Sequence, residues 1–185
     1  MNRVRQFVTL VLCLLLFTAA QGERRRDSLT DTEVDRLRDA ALDADQRLKL
    51  YVEFARARLV SLEQMRADPK VTDRAQQTHD RLQEFIDIYD ELNDNIETYD
   101  GRKADLRKVL KVVIEGDTEF QAKLRALKES VAAAKEVSTE YDFQLSMAIE
   151  TVDDGVQDHR QLLGQQEEAA KHRKPSGKQS PEQPK

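Results

Sequence analysis

The chain holds one cysteine, no tryptophan, six glycines and four prolines in 185 residues. Each scarcity closes off a class of function. The single cysteine, Cys13, lies inside an apolar N-terminal run. A mature form lacking that run has no disulfide, no thiolate nucleophile and no cysteine metal ligand. Without a Cys-x-x-Cys-His run, covalent c-type haem is excluded as well. There is no His-Glu-x-x-His pattern, no glycine-rich phosphate loop and no nucleophile–base pair at motif spacing. The formal net charge is −5. Loss of Arg3 and Arg5 with a leader would leave 28 basic against 35 acidic residues, or −7. An acidic body lacks the electrostatic footprint of a nucleic-acid binder.

What the chain does have is charge and periodicity. Charged residues make up 35% and aromatics 5%, a helical and well-solvated profile with apolar residues held to narrow stripes. From position 75 to position 155 two seams repeat every seven residues. One runs from Ala75 through Leu82, Tyr89 and Ile96 to Val152. The other runs from Thr78 through Phe85 and Leu92 to Gly155. Of their 24 positions 19 are apolar, the exceptions being Thr78, Lys103, Asp117, Ser138 and Gly155. At 39% hydrophobic content chance gives roughly nine, so the repeat predicts packed helices.

In chain order, Met1–Gly22 reads as a secretory signal peptide. Arg3 and Arg5 start it, Phe7–Phe17 forms its apolar core, and cleavage is expected after Ala20 or Gly22. Arg24, Arg25 and Arg26 support the alternative of a retained anchor, because positive charge there resists translocation. Residues 23–29 form a short polar linker, and 30–170 a helical bundle. Its first helix, about 31–67, opens on a Thr30/Glu33 capping box. A heptad follows through Val34, Leu37, Ala41, Ala44, Leu48, Tyr51, Ala55 and Leu62, with Arg58 as an intruder. Asp43–Arg47 and Asp45–Lys49 are expected as i,i+4 pairs. Asp68-Pro69 stops this helix.

Asp100-Gly101 and Glu115-Gly116-Asp117 are both turn signals, so the second helix can break at Gly101 or Gly116. It is expected over about 72–115, running through Gly101 and ending at Gly116. The seams keep their phase past Gly101, and acidic residues up to Asp100 followed by basic ones from Arg102 suit one helix dipole. Asp117 then caps a third helix, about 117–170. Residues 171–185 are basic, contain proline and lack apolar side chains, so they are expected to be disordered. The expected fold is all-α: an elongated antiparallel three-helix bundle with coiled-coil-like heptad packing, about 55–75 Å long.

Candidate chemistry is sparse. His159 continues the first seam beyond Val152 and has Asp153, Asp154 and Asp158 nearby. It invites a metal or haem reading, set against a polar residue at a fraying helix end, and no second ligand is placed. Glu84, Asp87, Asp90, Glu91, Asp94 and Glu97 form an acidic outer face. Tyr51, Tyr89, Tyr99 and Tyr141 occupy seams, with hydroxyls expected to reach outward. Phe143 lies off the seam. No catalytic, cofactor or metal residue is assigned. The chain is expected to be non-enzymatic, periplasmic or secreted. It would act through a protein partner or self-association in a structural or adaptor role, with membrane contact only through a retained anchor. A periplasmic holdase is the alternative.

Overall fold

A computed structural model describes residues 28–134 and 139–172. The signal peptide, the polar linker up to position 27, seam position Ser138 and the tail from 173 lie outside the described residues. The described residues are all helical apart from turns and contain no strand. Five helices follow one another: α1 Asp31–Asp39, α2 Ala44–Ala67, α3 Arg74–Gly101, α4 Arg107–Ala133 and α5 Asp142–His172.

The expected first helix is two. Thr30 forms the capping box, accepting from the Glu33 amide while the Glu33 carboxylate accepts from the Thr30 amide. The chain then turns back across Ala40–Asp43. Asp43 caps α2 by accepting from the Gln46 amide at 3.0 Å, so it is engaged in the cap and not in an i,i+4 pair with Arg47. Asp45 likewise faces Lys108 across the bundle at 4.0 Å. α1 runs antiparallel to α2, with Leu37 and Ala40 buried and Val34 exposed.

The second break also differs from expectation. α3 ends at Gly101, and α4 runs straight through Gly116. A glycine inside a helix costs about 1 kcal/mol, and here it permits close packing: a Cβ on Gly116 would fall 2.8 Å from a Val52 methyl. α3 ends in a Schellman motif. Ala104 N–H donates to the Tyr99 carbonyl and Lys103 N–H to that of Asp100. Lys103, at φ 60°, takes the left-handed position. The charge sorting misleads because basic residues from Arg107 onward start α4. They oppose its dipole there and are offset by Asp105, Asp45 and Glu167.

The third break separates α4 from α5. A single helix over 117–170 would outrun α3. Reversal near Ala134 lets 27- and 28-residue helices match in length. The seam resumes at Tyr141, which is buried.

α2–α5 pack as a square. α2 is flanked by α3 and α4, as is α5; α3 and α4 face each other across the diagonal. Ion pairs and hydrogen bonds between helices fix the directions. Arg56–Glu119 and Glu63–Lys123 run in step, so α2 and α4 are parallel. Arg47–Asn95 and Arg66–Thr78 show α2 antiparallel to α3. Across the diagonal, Phe85 and Tyr89 meet the Phe120 ring edge-on at 5.5 and 6.2 Å, filling a gap that smaller side chains would leave void.

Candidate functional site

Among the described residues, two of the buried clusters of polar side chains stand out as able to carry chemistry or recognition. The first joins three helices in the core. Tyr89 on α3 donates its hydroxyl to Asp117 Oδ1 at 2.8 Å. His159 Nδ1 on α5 meets Asp117 Oδ2 at 2.9 Å. Asp117 has no exposed surface and His159 only 4%. Burial, reinforced by the Asp117 carboxylate, pushes the Tyr89 phenol well above its ordinary range, so it stays protonated. The Tyr89 hydroxyl points inward to a carboxylate, not outward as expected.

Gly155 makes this arrangement possible. It sits directly beneath the Tyr89 hydroxyl, where any Cβ would collide. Asp117 is therefore a mid-helix core acceptor, not an N-cap. His159 is not at a fraying end, because α5 continues to His172. Asp153 is engaged elsewhere, by Gln121 and Arg125 at 2.6 and 2.8 Å. Among the described residues no group of three or more histidine, cysteine, aspartate or glutamate side chains is placed to hold a metal.

The second cluster grips α1. Arg58, the heptad intruder, is buried on α2. Its guanidinium donates to both Glu33 oxygens at 2.8 and 2.6 Å and to the Ser28 carbonyl at 2.7 Å. Its Nε lies 3.5 Å from Glu84. Eleven residues earlier Arg47 donates to the Leu37 carbonyl at 2.8 Å, near the C-terminal end of α1. Between them Arg36 pairs with both oxygens of Glu53 and stacks over Phe54. Burial raises the Glu33 pKa, but Arg58 and the Thr30 amide prevail and hold it below the usual carboxylate range. Arg36 does the same for Glu53. Planar, bidentate arginine contacts of this kind give directional recognition.

The acidic face divides. Glu84 serves Arg58 and Arg81, and Asp87 accepts from Ser28 and Gln83. Asp90, Glu91, Asp94 and Glu97 are exposed. The exposed large apolar side chains among the described residues are Val34, Leu42 and Phe143. Leu42 lies in the α1–α2 turn and Phe143 at the start of α5, at opposite ends of the bundle. Arg58 and His159 stand out in the sequence as seam oddities, but no local pattern pairs them, since each partner comes from another helix. Comparison with protein-family profiles, curated proteins and solved structures finds no match to this chain.

Proposed function

We propose that this chain is an exported, non-enzymatic helical protein that works through protein–protein contacts, in a structural or adaptor role at the cell envelope. The observation that carries the reading is the closure of the core. The seam residues Leu82, Phe85, Leu92, Val113, Phe120, Leu124 and Val152 are buried within one chain. The polar groups capable of acid–base work, Asp117 and His159, are sealed among them, where a substrate has no access. Recognition is left to the surface, and the arginines of α2 already hold a helix there. Export rests on the Met1–Gly22 pattern. The holdase alternative is less supported, because Val34, Leu42 and Phe143 do not form one apolar groove.

Two measurements test this together. The full chain, fused at its C-terminus to a reporter active only after export, should show activity and a mass beginning at Gln21 or Glu23. Photo-crosslinkers at Leu42 and Phe143 should then capture discrete protein partners that a crosslinker at Ala57, exposed midway along α2, does not. An unprocessed, inactive fusion defeats the export half. Crosslinking no richer than at Ala57 defeats the contact half.

A further inference from the structure

α1 touches the rest of the molecule chiefly through α2. The turn between them, Ala40–Asp43, contains neither glycine nor proline. Alanine and leucine are among the strongest helix formers, and only the Asp43 cap marks a break. Leu42 is fully exposed in this turn. The apolar heptad through Leu37, Ala41, Ala44 and Leu48 runs across it without a phase change. The same residues therefore support a second form, one straight helix from Asp31 to Ala67. In that form α1 leaves its own clamp and extends the axis of α2.

The clamp it vacates is specific. Arg58 reads a carboxylate at the third helical position plus the carbonyl of Ser28, and Arg47 reads a carbonyl near the other end. What fits is a short helix with the sequence of α1. We propose that α1 exchanges between two copies of this chain, each clamp holding the α1 of the other across a hinge at Ala40–Asp43. The Glu33–Arg58 and Arg36–Glu53 contacts would re-form, whereas the Arg47–Leu37 contact centres on Leu42 and is given up with the hinge, so the two states differ mainly there. The geometry closes on itself. The pairs Glu33–Arg58 and Arg36–Glu53 centre near Ala44 and Asp45. In an antiparallel pair of straight helices the two-fold axis falls there, within one turn of Leu42. The exposed leucine then gains a neighbour from the second copy. This rests on the reading that the protein works through helix contacts, and it names a second copy as the partner.

The test uses the full chain in a Cys13→Ser background, in two versions of different mass, one carrying Arg36→Cys and the other Glu53→Cys. Each has a single thiol, so a short bis-maleimide can join positions 36 and 53 only between chains. The versions are unfolded together, refolded at rising concentration and crosslinked. The control pair carries Arg36→Cys and Glu129→Cys, because Glu129 is exposed near the far end of α4, away from the hinge. The expected result is a mixed product about tenfold above that of the control pair, a difference of about one decade in apparent association constant. Light scattering should show a matching dimer. Adding Leu42→Gly to both versions should return the yield to the control level, because it weakens the straight helix and removes the leucine near the axis. Monomers at every concentration with control-level crosslinking overturn the exchange and leave contact with a different protein standing. A dimer that persists with Leu42→Gly and does not join 36 to 53 overturns it too.

Discussion

Gly155 on α5 lies against the hydroxyl of Tyr89 on α3, so that a Cβ at 155 would overlap that oxygen. The contact is with the atom that Tyr89 uses to reach Asp117. Gly155→Ala therefore forces the ring aside and strains its hydrogen bond. Overpacking costs about 1–3 kcal/mol, against a gain of up to about 1 kcal/mol from helix propensity. A net loss of about 1–2 kcal/mol in urea unfolding is expected. Gly164 lies on the same helix with open space around it. Gly164→Ala should leave stability unchanged or raise it by up to about 1 kcal/mol. Equal responses at the two glycines would remove the close-packing argument.

The left-handed residue of the α3 cap is Lys103, not the nearby Gly101. A side chain in that conformation costs about 1–2 kcal/mol, which glycine avoids in exchange for a larger entropy loss on folding. Position 103 falls on a seam, yet Lys103 is exposed, so its side chain contributes no core packing. Lys103→Gly is expected to stabilise the bundle by about 0.5–1 kcal/mol, read as a raised urea midpoint with unchanged slope. Destabilisation would mean that the lysine makes a contact worth more than the backbone strain.

The seams are legible because they record burial. Leu82, Tyr89, Leu110, Leu124 and Val152 are all in the core, and so is Asp117, which the same phase places there. Reading Glu115-Gly116-Asp117 as a turn overrides that phase. What makes Gly116 acceptable in a helix is Val52, a tertiary contact with no local signature. At Gly101 the reverse holds. Tyr99 and Leu106 are seven apart on either side of a real loop, so the phase survives a break. Tyr89, Asp117 and His159 share one seam, and the sequence therefore assigns all three to the core. Which of them meet depends on where the chain reverses: Asp68-Pro69 and Asp100-Gly101 mark true helix ends, whereas Glu115-Gly116-Asp117 lies inside α4. The α1 reversal has no glycine or proline to announce it.

Acid should release α1 before it opens the core. Glu33 and Glu53 titrate below their ordinary range in the folded chain. Burial opposes this at Glu33 but is outweighed by Arg58 and Thr30, and at Glu53 the cause is Arg36. A depressed folded pKa gives stability that is present above the ordinary glutamate value of about 4.3 and lost as pH falls through the folded value. Amide exchange, corrected for intrinsic rates, should rise in 31–39 as the pH is taken below about 4.3 while 82–92 stays protected. Glu33→Gln keeps the cap geometry but removes the charge, so α1 should already be loose at neutral pH and respond less to acid. Simultaneous loss of protection in both segments would show that α1 is not a separable element.

The Tyr89–Asp117–His159 cluster should be costly to break and easy to replace. Asp117→Ala leaves the tyrosine hydroxyl and the imidazole N–H buried without an acceptor, and His159→Ala deprives the carboxylate of one partner. Each is expected to cost about 3 kcal/mol or more, the range for a broken buried pair. Replacing the whole cluster, with Tyr89→Phe, Asp117→Leu and His159→Leu, removes all the polar atoms together. Because desolvation then no longer opposes folding, the triple variant should unfold within about 2 kcal/mol of the parent or above it. The comparison separates two roles. If the triple variant matches the parent in stability and in crosslinking from Leu42 and Phe143, the cluster serves only to set which helix faces meet. If it folds as stably but loses those contacts, the buried polar atoms matter to recognition through the helices they join, and the closed core is part of the working surface. A triple variant weaker than either single one would instead make the hydrogen bonds themselves the main source of stability at the centre of the bundle.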